Sequence, residues 1–273
     1  MLGAIIGDMI GSVYEFNNVK TKDFTLWCND SHLTDDTVCT IAIADALLNQ
    51  KPFDKALREW CRRYPEAGYG PMFQKWVQSD TMPAYKSWGN GAVMRVSPVA
   101  YLSVDKSEAL LSGLEQTAVT HNSAEPITAV SAYLDAFFDL KEGYKPSIIT
   151  QALSARYGYQ MDRSIDEIRS GYNKFYVRAS KTVPEAILCA LQATSFEDAI
   201  RNAVSLGGDS DTLATMAGAL AEVRFGVPKS MEKEALSRLD TSMKSVLMQM
   251  YGRPNCIARH HLSYHPVTGE KER

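Results

Sequence analysis

The stretch Ser205-Leu206-Gly207-Gly208-Asp209-Ser210-Asp211-Thr212-Leu213-Ala214-Thr215-Met216-Ala217-Gly218-Ala219 sets a glycine pair, two carboxylates and two hydroxyls directly before an apolar run of small residues. Asp, Ser and Thr are preferred helix N-caps, and the helix dipole favours negative charge there. The spacing predicts a helix over 211–225 with an oxygen-rich start. Capping by itself would explain one such cluster. A cap, however, needs one side-chain oxygen, not two acids and a hydroxyl.

A matching cluster lies upstream, in His32-Leu33-Thr34-Asp35-Asp36-Thr37. It precedes a predicted helix over 36–49, where Val38, Ile41, Ala44 and Leu48 share a face and Thr34 or Asp35 is the candidate cap. Crowded carboxylates raise each other's pKa unless a cation compensates. A hard divalent cation prefers carboxylate, hydroxyl and water oxygens, so the two clusters together could hold one or two Mg²⁺ ions. Zinc is disfavoured, since His32 is the single nitrogen ligand nearby and no cysteine accompanies either cluster. An EF-hand loop is disfavoured too, because the sixth and twelfth places from Asp209 hold Ala214 and Leu220.

The N-terminal stretch repeats glycine every fourth residue, at Gly3, Gly7 and Gly11. On a helix this is a smooth stripe that admits close backbone approach. Asp8 inside the stretch argues for a buried helix rather than a membrane span. Helical periodicity recurs over 53–63, 69–79, 107–119, 124–140, 184–192, 196–205 and 230–250. Phe24–Trp27 and Arg95–Val99 are the two weak strand candidates. The expectation is an all-α, compact single domain over 1–253. The segment 254–273, with His260, His261 and His265, reads as a polar arm or tail.

Charge and cysteine usage narrow the setting. A formal charge of −3 and a pI near 6.0 give no electrostatic reason to expect nucleic-acid or membrane binding. Five scattered cysteines argue for a reducing compartment and against a disulfide framework. The N-terminus lacks a basic leader, and no apolar run is long enough to cross a bilayer, so a cytoplasmic protein is expected.

Taken in order, a set of short motifs resembles the ADP-ribosylglycohydrolase family from Gly3 to about Pro228. They are Gly7-Asp8-Met9-Ile10-Gly11-Ser12-Val13-Tyr14-Glu15, Thr34-Asp35-Asp36-Thr37, Gly68-Tyr69-Gly70, Ser87-Trp88-Gly89-Asn90-Gly91-Ala92-Val93-Met94-Arg95, Thr120-His121-Asn122-Ser123, Thr182-Val183-Pro184 and Ser205 to Thr212. The resemblance implies a helical fold with a binuclear metal cleft, holding two Mg²⁺ ions with Mn²⁺ as a substitute. Carried over by position, Thr34, Asp35, Asp36, Asp209, Asp211 and Thr212 would be the metal ligands, with Asp35 also facing substrate. The segment Ser87, Trp88, Gly89, Asn90, Gly91 would wrap the diphosphate and its ribose. A turn of that composition presents unobstructed backbone N–H groups to an anion. His121 would lie near the phosphates. Tyr69 and Trp88 are candidate walls for the adenosine side, with core packing the alternative for Tyr69.

The implied activity is magnesium-dependent release of ADP-ribose from an ADP-ribosylated protein or small molecule. Water would attack C1″ of the distal ribose, with Glu15 or Asp36 accepting its proton. Gly11-Ser12-Val13-Tyr14-Glu15 resembles the serine-cleaving branch, in which the glutamate rides a mobile loop, and Phe16–Asp30 reads as such a loop. An O-linked acceptor, serine or an O-acetyl ester, is therefore favoured over arginine. The chain departs from that branch at Asn122, at Glu125-Pro126 and at Val177-Arg178-Ala179-Ser180-Lys181. Arg178 and Lys181 are expected to alter what binds beside the distal ribose. Two rivals stand: a non-catalytic ADP-ribose reader or structural protein on the same scaffold, and a phosphodiesterase that would release AMP.

Overall fold

A computed structural model describes residues 1–253 and Cys256. The proposed arm over 254–273 lies outside the described residues apart from Cys256. The described residues form fifteen helices: α1 (Leu2–Gly11), α2 (Asp35–Asn49), α3 (Phe53–Arg63), α4 (Pro71–Gln78), α5 (Gly91–Met94), α6 (Ser97–Leu102), α7 (Lys106–Ala118), α8 (Ala124–Lys141), α9 (Pro146–Tyr157), α10 (Ile165–Gly171), α11 (Ala179–Leu191), α12 (Phe196–Leu206), α13 (Ser210–Phe225), α14 (Lys229–Arg238) and α15 (Thr241–Tyr251). Among the described residues the fold is all-α, with a lone antiparallel bridge between Gly89 and Arg178. No helix among the described residues is long and apolar enough to cross a membrane.

α13 is the axis of the core. It packs on α1, α12, α11 and α8, and only Arg224 and Phe225 of its residues are not buried. The glycine stripe explains how α1 reaches it. A Cβ at Gly3 would sit 2.2 Å from the Gly218 carbonyl oxygen, at Gly7 2.0 Å from that of Ala214, and at Gly11 2.4 Å from Cα of Asp211. No side chain fits there, so the two helices meet backbone to backbone over three turns. Every residue of α1 is buried, including Asp8. At the other end of α13, Glu222 accepts hydrogen bonds from the N-terminal ammonium of Met1, the Gly3 backbone amide and the Tyr251 hydroxyl, tying α1 and α15 to it.

Both strand candidates are overturned. Phe24–Trp27 is irregular, and Arg95–Val99 divides between the end of α5 and the start of α6. Pro98 sits in the first turn of α6, where its missing N–H costs nothing. The run 230–250 is two helices, because the Asp240 carboxylate accepts from the amides of Ser242 and Met243 and starts α15 afresh. α11 begins five residues before Pro184, which lies inside it. The pattern reading missed α9 and α10. α9 buries only Ile149 and Leu153, too few to show a period, while α10 is signalled by a capping box of Ser164 and Glu167.

Candidate active site

The close approach of α1 and α13 sets the start of α13 against the end of α1 and the start of α2. Asp8 organises the junction from below. Its Oδ2 accepts the amides of Thr34 (2.9 Å) and Thr37 (3.0 Å), and its Oδ1 accepts the Thr34 hydroxyl (2.7 Å). Thr34 is the N-cap of α2, taking the Asp36 amide on Oγ1. Asp36 Oδ2 accepts from the Thr212 hydroxyl at 2.9 Å, which joins α2 to α13, while Asp36 Oδ1 is buried with no partner. Asp209 stands at the N-cap of α13 but makes no side-chain capping bond; its Oδ2 accepts the side-chain amide of Asn90 at 2.6 Å.

Two sets of three carboxylates converge: Asp8 with Asp36 and Asp211, and Glu15 with Asp209 and Asp211, each offering oxygens within 4.8 Å of one another. Asp211 belongs to both. Burial first, and then the neighbouring carboxylates, push Asp36 and Asp211 well above the ordinary carboxylate range, and burial, Cys39 and then the carboxylates do the same to Asp35. Burial and the Asp209 charge push Glu15 up to about 7. An all-oxygen donor set, buried, negatively charged and containing the unpartnered Asp36 oxygen, fits a hard divalent cation. Asp35 lines the cleft above but stands outside both sets.

The cleft has a volume of about 500 Å³ and is lined by Glu15, Asp35, Asp209, Asp211 and Thr212 at the carboxylate end. Ser87 to Gly91 and His121 line its other side. Three N–H groups of that segment are already engaged: Ser87 donates to the Thr120 carbonyl, Gly89 to the Ser87 hydroxyl and Asn90 to the Val177 carbonyl. The expected row of unobstructed amides is therefore reduced. What remains at the start of α5 is the pair of amides of Gly91 and Ala92, since those of Val93 and Met94 donate to the Asn90 carbonyl. The His121 ring lies under Gly91, where a Cβ would come within 3.2 Å of it. Burial and nearby Arg95 hold this imidazole far below its ordinary pKa, so it is neutral. Arg95 is itself engaged by Gln116 and Thr120.

Tyr69 is not among the residues that line the cleft. Its ring is buried against Phe73, at 5.7 Å between centroids, and the neighbouring Gly68 and Gly70 line the cleft instead. Trp88, half exposed, does line it, together with Met72, Phe73, Tyr85, Phe175 and Val177. The segment 172–178 went unrecognised in the sequence because it has no period. Its one clue was the odd run Val177 to Lys181. Asp8 belongs to this junction as well, and an acid inside a glycine-striped helix is its signal in the sequence.

The loop after Glu15 is not loose. The Asn18 side chain donates to the carbonyls of Tyr14 and Glu15 (both 2.8 Å) and accepts the Gly208 amide at 2.8 Å. Lys20 donates to the carbonyls of Tyr172 and Leu206, and Lys22 pairs with Asp198. These ties set Glu15 beside Asp209 and Asp211.

Comparison with known proteins covers nearly the whole chain. A family model described as ADP-ribosylglycohydrolase matches residues 1–258. The ADP-ribosylarginine hydrolase Tri1 of Pseudomonas putida (strain GB-1) is 27% identical over 283 residues, covering 87% of this chain and 74% of its own. The ADP-ribosylhydrolase ARH3 of Mus musculus is 25% identical, covering 85% of each chain. A solved structure titled ADP-ribosylglycohydrolase-related protein complex superposes with a TM-score of 0.66 at 20% identity, over 92% of this chain and 96% of that one.

Proposed function

The chain belongs to the ADP-ribosylglycohydrolase family of enzymes, and on that premise we propose that it is a magnesium-dependent hydrolase releasing ADP-ribose from an ADP-ribosylated acceptor. The observation that carries this reading is the pair of carboxylate triads sharing Asp211 at one end of the cleft. The proposed catalytic unit spans residues 1–253.

The proposed ligands are Asp36, Asp209, Asp211, Thr212, Thr34 and Asp35, with Mg²⁺ as the ion and Mn²⁺ as a substitute. Bound cations would neutralise the carboxylates and act as Lewis acids toward the hydroxyls of the distal ribose. The chain's own residues do the rest. Asn90 orients Asp209 through its amide. Asp8 orients Thr34 and the start of α2. Neutral His121 supports the Gly91 backbone from beneath without placing a full charge against the diphosphate. Glu15, half-buried and raised to about 7, takes the proton of the attacking water as it adds to C1″, while the C1″–acceptor bond breaks and the departing acceptor atom takes up a proton. The carboxylate surroundings favour the oxocarbenium-like charge that develops on the sugar.

For the acceptor, the Gly11-to-Glu15 stretch supports an O-linked group, serine or an O-acetyl ester, over arginine. The test is a panel of serine-linked, arginine-linked and O-acetyl ADP-ribose substrates with magnesium or chelator. Magnesium-dependent release of free ADP-ribose is expected, fastest from the O-linked substrates. Binding of ADP-ribose with no turnover on any linkage would make the protein a reader instead. Release of AMP would make it a phosphodiesterase.

A further inference from the structure

The positions that depart from the family pattern meet one another in space. Glu125, in the first turn of α8, takes the Arg178 guanidinium on both carboxylate oxygens. The same Oε1 accepts the Ser180 amide at 3.0 Å and its hydroxyl at 2.6 Å. Asn122 accepts the Lys86 amide at 3.0 Å, and Ser123 donates to the Ser87 carbonyl at 2.7 Å. The start of α8 thus grips both the start of α11 and the segment leading into Trp88.

Arg178 carries the grip further. Its guanidinium lies over the Trp88 indole, 5.2 Å from the ring centroid. The backbones of the two residues are held by neighbours: Ala179 donates to the Trp88 carbonyl (3.2 Å) and Asn90 to that of Val177 (2.9 Å). Backbone pairing leaves the χ angles of Trp88 unset, and its side chain is half exposed. A cation held by a fixed carboxylate and resting on one face of the indole sets them. The guanidinium therefore sits at the Ser87–Gly91 side of the cleft, not at the carboxylate end where the distal ribose was expected.

We propose that Glu125 and Arg178 are positioning residues: Glu125 fixes the guanidinium, and the guanidinium fixes the Trp88 indole as a wall of the nucleotide half of the cleft. The proposal rests on the functional reading above. A wall already ordered before binding spares the ligand the entropy of ordering it. Loss of a half-exposed cation–π contact corresponds to about three- to fivefold in affinity.

The test uses protein labelled with 5-fluorotryptophan, with the Trp88 signal assigned by its loss in Trp88→Phe. In ligand-free Arg178→Met, the Trp88 fluorine signal is expected to shift and narrow toward that of a mobile ring, leaving the other tryptophans unmoved. Kd and KM for ADP-ribosyl ligands rise about three- to fivefold, with a smaller change in kcat. Glu125→Gln gives a lesser version, and Arg178→Lys restores part of the loss. In a Trp88→Ala background, Arg178→Met adds nothing further, because the two residues act as one unit. An unmoved Trp88 signal in Arg178→Met overturns the proposal. So does a penalty that persists in Trp88→Ala. If the wild-type protein binds no ADP-ribose, the functional reading falls, and the ligand-free fluorine spectrum still decides the positioning role.

Discussion

Glu15 and His121 show how burial sets two single groups to opposite purposes. Glu15 is half-buried beside Asp209, and its carboxyl is pushed up to about 7, within reach of base catalysis near neutrality. Glu15→Gln is expected to lower turnover by about 10²–10⁴-fold while ADP-ribose affinity stays within about twofold, the pattern of a group acting mainly in the transition state. A parallel loss of affinity, measured by calorimetry, would return Glu15 to a binding role. His121 is buried, and desolvation holds it neutral. The unfolded chain takes up a proton on this imidazole near pH 6.5 while the folded one does not. The stability it contributes is present above pH 6.5 and is lost as pH falls, by at most about 1.4 kcal/mol per pH unit. Urea unfolding of wild type and His121→Gln at pH 7.5 and 5.5 should show a smaller loss in the variant. Equal losses would mean that the imidazole titrates in the folded state.

At the scale of elements, the meeting of α1 with α13 decides where the carboxylates lie. Gly7→Ala puts a Cβ 2.0 Å from the Ala214 carbonyl oxygen, a backbone atom that cannot step aside. The variant is expected to lose about 3 kcal/mol or more, at or above the usual upper range for overpacking. It should also weaken magnesium binding, since parting the helices moves Asp211 from Asp8. Gly171→Ala, with nothing within 4 Å, is the control and should stay within about 0.5 kcal/mol. A Gly7→Ala protein of wild-type stability would contradict the packing. The loop after Glu15 makes a second case. Asn18→Ala removes the tie from Gly208 to the Glu15 backbone. Hydrogen exchange over 13–30 should quicken and turnover should fall, while the melting temperature moves little. Unchanged exchange would show that the other ties, from Lys20, Lys22, Arg201 and Tyr14, hold the loop without Asn18.

Over the whole molecule, the fold gives up stability to gather acids, and a bound cation would restore it. Asp36 and Asp211 are raised well above the ordinary carboxylate range by burial and by each other. For an acid raised on folding, the favourable contribution is full below about pH 4 and is lost as pH rises toward the folded value. Chelated protein should therefore lose stability between pH 5 and 8, and magnesium should restore it. Asp211→Asn should raise the melting temperature of the chelated protein, by about 2–4 °C per kcal/mol at this size, and abolish the rise on adding magnesium. A magnesium response that survives in Asp211→Asn would remove this residue from the ligand set. The sequence by itself determined the helical class, through the apolar periods of α2, α3, α7, α8 and α13, because periodicity is local. It also marked the glycine stripe and the two acidic clusters, because small residues and crowded charges need a reason wherever they occur. Only the tertiary structure decided that Asp8 underpins the site, that Tyr69 turns into the core, that Lys20 and Asn18 pin the loop, and that Arg178 rests on Trp88. All but the Tyr69–Phe73 contact join residues distant in the chain, and which of them meet depends on how the helices pack, a property of no single segment.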